Sequence, residues 1–298
     1  MKKSNTILVV DAHAHPPKKE VNSFYAAPRT QEEAESLLLL SIEEMVAQMD
    51  RLKTNVKMMF AIPSDIEYLY HYGEHNVDTG ITTSTSLEWI IRAQELYPNR
   101  FYGVACLDPT RPESIETLEF LVKEHCFKAA KMIPGHYKFD VNDKKIYNFY
   151  KKCIELDIPV AFHTGYSPFR EVDRLIPAMP IMLDELAYDL PELKIDLCHV
   201  GGHWYQDAVL VALRNENIIL DFSMLTYICK FLVYPKIDPG ELIKRIVEII
   251  GPDRLMFGAD NDDPEMNLDF MESLDLGEHD LRKIMGENAA RFFKLDQR

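Results

Sequence analysis

The chain has 298 residues, with 33 Lys and Arg against 48 Asp and Glu, a formal net charge of −15. That acidity argues against nucleic acid as a partner, because phosphate binding relies on Lys and Arg to displace counterions. Hydrophobic residues make up 47% and charged residues 27%, so the chain can bury a core without disulfide staples.

The five cysteines, Cys106, Cys126, Cys153, Cys198 and Cys229, are scattered and form no C-x-x-C pair, which predicts reduced thiols and a cytoplasmic setting. The start, MKKSNTILVVDAHAH, has only Ile7, Leu8, Val9 and Val10 before Asp11, too few apolar residues for a secretion signal. No apolar run approaches the ~20 residues of a membrane span. A soluble protein with no membrane association is expected.

In chain order, an apolar strand at 6–12 leads into a long loop over 16–40. Ser41 with Glu44 forms a capping-box pattern ahead of an apolar stripe of Ile42, Met45, Met49 and Leu52. A strand at 56–62 and a loop at 63–84 follow, then a helix opened by Thr85 and Glu88 that carries Ile90, Ala93 and Leu96. The strand at 101–107 precedes a third such pattern, Thr110 with Glu113, followed by Ile115, Leu118 and Val122. Further strands read at 128–133, 159–163, 194–199, 218–222 and 254–259, with long loops at 164–180 and 223–238. A closing helix spans 278–295. Eight strands interleaved with helices require parallel pairing, since each return needs a crossover. The expected fold is one (β/α)8 TIM barrel over residues 1–298, its long loops gathered on the C-terminal face.

The chemistry concentrates at strand ends. The first strand runs into Asp11-Ala12-His13-Ala14-His15, and residues two apart on a strand point to one side. Strand five ends at His163, strand six at His199 and strand eight at Asp260. In a barrel all of these project from one rim, and three histidines with one carboxylate make a divalent-metal set with a position left for water or substrate.

The segments VVDAHAHP, KAAKMIP, IPVAFHTG, LCHVGGHW, LMFGADNDDP and ENAARFF occur in that order from residue 8 to residue 293. Together they resemble the amidohydrolase superfamily, in particular the amidohydrolase-related group that includes aminocarboxymuconate-semialdehyde decarboxylase. The resemblance implies a (β/α)8 barrel with one catalytic divalent metal, zinc, with manganese as the alternative. Its ligands would be His13, His15, His163 and Asp260, with His199 a catalytic histidine near the substrate. Lys131 lies where some relatives carry a carboxylated lysine bridging two metals; here an ordinary amine is expected, paired with Asp260 or another rim carboxylate.

Such a site would activate water for hydrolysis, with Asp260 moving the water's proton to the leaving group and His199 donating to the substrate oxygen. It could equally release carbon dioxide from an acid. HVGGHW, at 199–204, resembles the H-x-G-G pattern of hydrolase-like members more than the Gly-Glu of many decarboxylases. The reading is therefore a hydrolase of a small amide, ester or lactone, the alternative being a nonoxidative decarboxylase of an aromatic or unsaturated acid. A nuclease on a similar barrel conflicts with the charge, and a non-catalytic metal-binding barrel with the intact strand-end residues. The partner is a small molecule, and a homo-oligomer is compatible with the sequence. His71 and His75 lie in an aromatic-rich loop that could cover a substrate or stand in solvent. Arg170 reads as a surface partner of Glu171 or Asp173, or as a carboxylate binder; His203 and Trp204 as pocket wall or helix cap. His125 and His136 read as structural, and Asp262 and Asp263 as caps before Pro264 or as an acidic loop that favours a cationic substrate.

Overall fold

A computed structural model describes residues 7–17, 30–62, 86–167, 170 and 173–295. Eight strands are present: β1 Val10–Ala14, β2 Val56–Phe60, β3 Phe101–Cys106, β4 Ala129–Met132, β5 Val160–Phe162, β6 Ile195–Leu197, β7 Ile218–Asp221 and β8 Leu255–Met256. They pair in sequential order, every pair parallel. The seam between β8 and β1 is closed by the amide of Ala12 donating to the carbonyl of Phe257 at 2.9 Å and by a parallel bridge between Ala14 and Asp260. The expected (β/α)8 barrel is thus the fold.

The helices are α1 Gln31–Leu52, α2 Ser86–Leu96, α3 Ser114–His125, α4 Tyr147–Glu155, α5 Leu183–Asp189, α6 Tyr205–Arg214, α7 Leu225–Phe231, α8 Pro239–Ile250 and α9 Pro264–Ser273. A helical segment at 278–292, interrupted by a π turn at Lys283–Glu287, follows α9. Outward strand residues such as Met59, Val160 and Leu220 meet Ile42, Met49, Ile90 and Phe149 from the helices. Inward residues, among them Val10, Met58, Val104 and Met256, fill the barrel, whose lower end is plugged by Ala289, Ala290 and Phe293. The floor of the site is therefore packed protein and not a pore. Among the described residues no helix is long and apolar enough to cross a membrane.

Four sequence expectations need correction. Helix α1 begins at Gln31, ten residues before the expected cap, so the first loop is shorter than 16–40. Ser41 lies mid-helix, donating to the carbonyl of Leu38 at 2.7 Å and accepting from Trp89 Nε1 at 2.9 Å. A serine inside a helix satisfies its hydroxyl on the preceding turn, and the Glu-, Ala- and Leu-rich run before it sustains the helix. The Thr110–Glu113 box also fails to form: Thr110 Oγ1 bonds Asp108, and Glu113 caps α3 without a side-chain bond. Strand β1 continues through His13, past the expected end at Ala12, because its polar residues find buried partners, Asp11 taking Lys57 Nζ at 2.6 Å. The loop at 223–238 contains α7, and Thr85, His71 and His75 lie outside the described residues.

Candidate active site

His13 ends up inside β1 and His15 one residue beyond it; His163 follows β5, His199 follows β6 and Asp260 follows β8. All five line one cavity of about 280 Å³ at the C-terminal end of the barrel. Local backbone makes this convergence possible. Gly258 leaves room for His13, since a Cβ there would stand 2.9 Å from the Cβ of His13. After β6 the chain takes four successive positive φ angles, at His199, Val200, Gly201 and Gly202, a tight turn that aims His199 inward. Side chains at positive φ are strained, so the two glycines relieve half of that turn.

The hydrogen bonds fix which ring nitrogens carry protons. Asp221, at the end of β7, is ionised: burial pushes its carboxyl up, but His13 and further donors outweigh this and hold it below the usual carboxylate range. It accepts from His13 Nδ1 at 2.9 Å, from the amides of His199 and Ser223 at 3.1 and 3.0 Å, and from Ser223 Oγ. With its proton given to Asp221, Ser223 Oγ accepts from His199 Nδ1 at 2.8 Å. His199 Nε2 is then an acceptor, and His163 Nδ1 donates to it at 3.1 Å. His163 Nε2 is left bare, buried and without a partner. His15 Nδ1 donates to the carbonyl of Phe60 at 3.0 Å, turning Nε2 towards Asp260 Oδ1, 3.1 Å away. His13, its Nδ1 committed to Asp221, stacks on Phe60 with ring centroids 4.0 Å apart and likewise keeps Nε2 unprotonated.

Burial, then the charge of Lys131, lowers the pKa of His13; burial and His199 hold His163 well below its ordinary value. Burial, then His13, brings His199 down to about 4. Asp260 is pushed up by burial but held well below the carboxylate range by His13 and by its bond to His15. The site thus sets the neutral imidazoles of His13, His163 and His199 beside an ionised carboxylate. His15 Nε2 lies 3.1 Å from Asp260 Oδ1, a pair of ligand atoms that a cation could share. Ligand atoms of His13, His15 and Asp260 lie within 4.8 Å of one another, the clearest cation cradle among the described residues. His163 stands outside that cluster, with its bare nitrogen on the same cavity. A second grouping of His13, Cys198 and Asp221 is less suited, because Lys131 occupies the thiol and four donors occupy the carboxylate. The donor set therefore fits a divalent ion, each nitrogen ligand oriented by the bond its other nitrogen makes.

Other expected residues fall in different places. Lys131 is not paired with Asp260; its Nζ, on β4, donates at 2.9 Å to Sγ of Cys198, the residue just past β6. Arg170 is exposed and does not hold Asp173, whose carboxylate takes His136 Nδ1 at 2.9 Å and Ser167 Oγ. His136 and His125 are structural, as read; the carbonyl of His125 accepts from Gln94 and its ring meets Phe120. His203 stacks on Trp204 away from the cavity lining. Asp263 caps α9, accepting from the amide of Glu265, and Asp262 accepts from Thr226 Oγ1. Sequence reasoning missed Asp221 and Ser223, and the apolar wall that α7 contributes through Ile228. The signal for Asp221 was present, an apolar run ending in a carboxylate, but Phe222 after it masked the strand end.

Eight parallel strands with histidines and a carboxylate on the C-terminal rim define a TIM-barrel enzyme site. The family model for amidohydrolases matches residues 10–295, and the chain belongs to that family. It is 26% identical over 243 residues to the 2-keto-4-carboxy-3-hexenedioate hydratase of a Sphingobium species, covering 70% of each chain. A TIM-barrel protein from Bordetella bronchiseptica superposes with a TM-score of 0.71 at 18% identity, over 96% of this chain and 98% of that one. The 5-carboxyvanillate decarboxylase of Novosphingobium aromaticivorans, complexed with manganese and 4-hydroxy-3-methoxy-5-nitrobenzoic acid, superposes at 0.65 with 17% identity, over 97% of each chain. The two structural likenesses speak for the barrel alone.

Proposed function

We propose that this protein is a metal-dependent hydrolase of a small amide, ester or lactone. His13, His15, His163 and Asp260 would hold one divalent ion, zinc or the manganese seen in the decarboxylase. When bound, the ion supplies Lewis acidity, polarising a carbonyl and lowering the pKa of water. The observation that carries the reading is Asp260: an ionised carboxylate on the cavity wall, 3.1 Å from His15 Nε2 and 3.8 Å from His199 Nδ1. There it takes the proton of an attacking water and returns it to the leaving atom, which must depart neutral. Asp221 and Ser223 hold the tautomers of His13 and His199 throughout. With its Nδ1 proton donated to Ser223 Oγ, His199 meets the substrate as an acceptor at Nε2 once the contact from His163 is released. The HVGGHW turn, resembling hydrolase-like members, favours water attack over loss of carbon dioxide.

The test is a panel of small amides, esters, lactones and unsaturated acids, offered to protein loaded with zinc or manganese. Acid release without carbon dioxide is the expected result. Carbon dioxide release with no hydrolysis would replace this reading with a decarboxylase.

A further inference from the structure

We propose that Lys131 anchors a carboxylate of the substrate, so that the substrates are small carboxylic acids whose scissile bond lies at Asp260. The proposal rests on the hydrolase reading only in placing the scissile bond at Asp260. Lys131 is 3% exposed and is the only Lys or Arg among the described residues that line the cavity. Among the described residues it forms no ion pair. Its ammonium meets Cys198 Sγ at 2.9 Å and the ring of Phe60 at 4.9 Å from the centroid. The thiol is a poor counter-ion: burial keeps it neutral, and sulfur is a weak acceptor.

Neither neighbouring acid makes a contact ion pair with Lys131, although the groups around it outweigh burial and raise its pKa. Asp221 already serves four donors from His13, His199 and Ser223. Asp196, fully buried, is pushed well above the usual carboxylate range by burial and by the charge of Asp221, and neither of its oxygens bonds Lys131. A buried ammonium without a contact anion is costly, and a ligand carboxylate in the cavity would remove that cost.

Position defines the rest of the ligand. Lys131 rises from β4, opposite β8 in the strand order, and its Nζ lies 2.9 Å from Cys198 Sγ, itself within 4.8 Å of a ligand atom of His13. The described lining is largely apolar, with Ile62, Ile133, Met224 and Ile228, and also carries Ser167 and Asp173. Among the described residues, one cation beside such a lining suits a carboxylate on a hydrophobic body.

Benzoate and benzamide, alike in shape but differing in charge, test this by calorimetric titration of the metal-loaded protein and of Lys131→Met, with metal content measured in both. Wild type should prefer benzoate. Lys131→Met should weaken benzoate by about 10–100-fold, the range for a hydrogen bond to a charged group, and leave benzamide and metal content unchanged. A preference that survives in Lys131→Met would put the carboxylate on the metal cluster and overturn the proposal, as would a wild type that does not discriminate. Should the variant fail to fold, a crystal structure of wild type with benzoate decides: a carboxylate oxygen within hydrogen-bond distance of Nζ supports the anchor, and any other placement, or none, sinks it. The titration reads binding alone, so an enzyme that keeps its benzoate preference but hydrolyses nothing overturns the hydrolase reading and leaves the anchor standing.

Discussion

Asp260 is both a proposed ligand and a proposed base, and Asp260→Asn separates the two. The amide keeps an oxygen that can face a metal but cannot accept a proton at neutral pH. The variant should retain metal, measured by elemental analysis, while turnover falls ~10²–10⁴-fold, the usual scale of general acid–base help. Near wild-type turnover would remove Asp260 from the proton path. Asp221→Asn should act differently. An amide in place of a carboxylate that serves four donors lets His13 move its proton to Nε2, blocking that nitrogen as a ligand. Metal affinity, read by competition with a chelator, should fall ~10–100-fold, as for other residues that orient metal ligands. An unchanged affinity would reduce Asp221 to packing. This contrast marks what the sequence could reveal. His13, His15, His163, His199 and Asp260 were legible because each terminates an apolar run. The bond from His13 to Asp221 joins residues 208 apart, and only barrel closure brings them together.

Among the elements, the strands were the most legible, because buried parallel strands read as short apolar runs of fixed length. Helix starts were less so. Capping patterns at Ser41 and Thr110 occur where the hydroxyls instead satisfy Leu38 and Asp108, and a four-residue pattern cannot show which bond wins. The turn after β6 is the element on which site geometry most depends. Gly202 has φ 60° and ψ −127°, and its Cβ would stand 3.0 Å from the Cα of Gly165. Gly202→Ala should therefore destabilise the protein by ~1–3 kcal/mol, the range for backbone held in a disfavoured region. Because the turn carries His199, catalytic efficiency should fall with it. A denaturation midpoint equal to wild type would show that the turn relaxes and that the glycine is dispensable.

For the whole molecule, the proposed metal cradle and the closure of the barrel coincide. His13 and His15 come from β1 and Asp260 from just past β8, the two strands that meet last in the chain. Backbone bonds already cross this seam, from Ala12 to Phe257 at 2.9 Å and from Asp260 to the carbonyl of His13 at 2.6 Å. An ion held by residues on both sides would add a tie between the first strand and the last, one that the unfolded chain cannot reproduce. A ligand at a thousand times its Kd stabilises the folded state by about 4 kcal/mol. At roughly 2–4 °C per kcal/mol, chelation should lower the Tm by about 8 °C or more. The double variant His13→Ala, His15→Ala should start from the lower Tm and no longer respond to chelator, because the cradle has lost two of its three clustered donors. Amide exchange should quicken on chelation at Ala12 and Asp260, the seam itself, before it does at β4 or β5. Scanning calorimetry with metal analysis on the same samples checks this. A double variant with undiminished metal, or a wild type whose Tm ignores chelation while its metal is removed, would show that the barrel closes without the ion and that the cradle lies elsewhere.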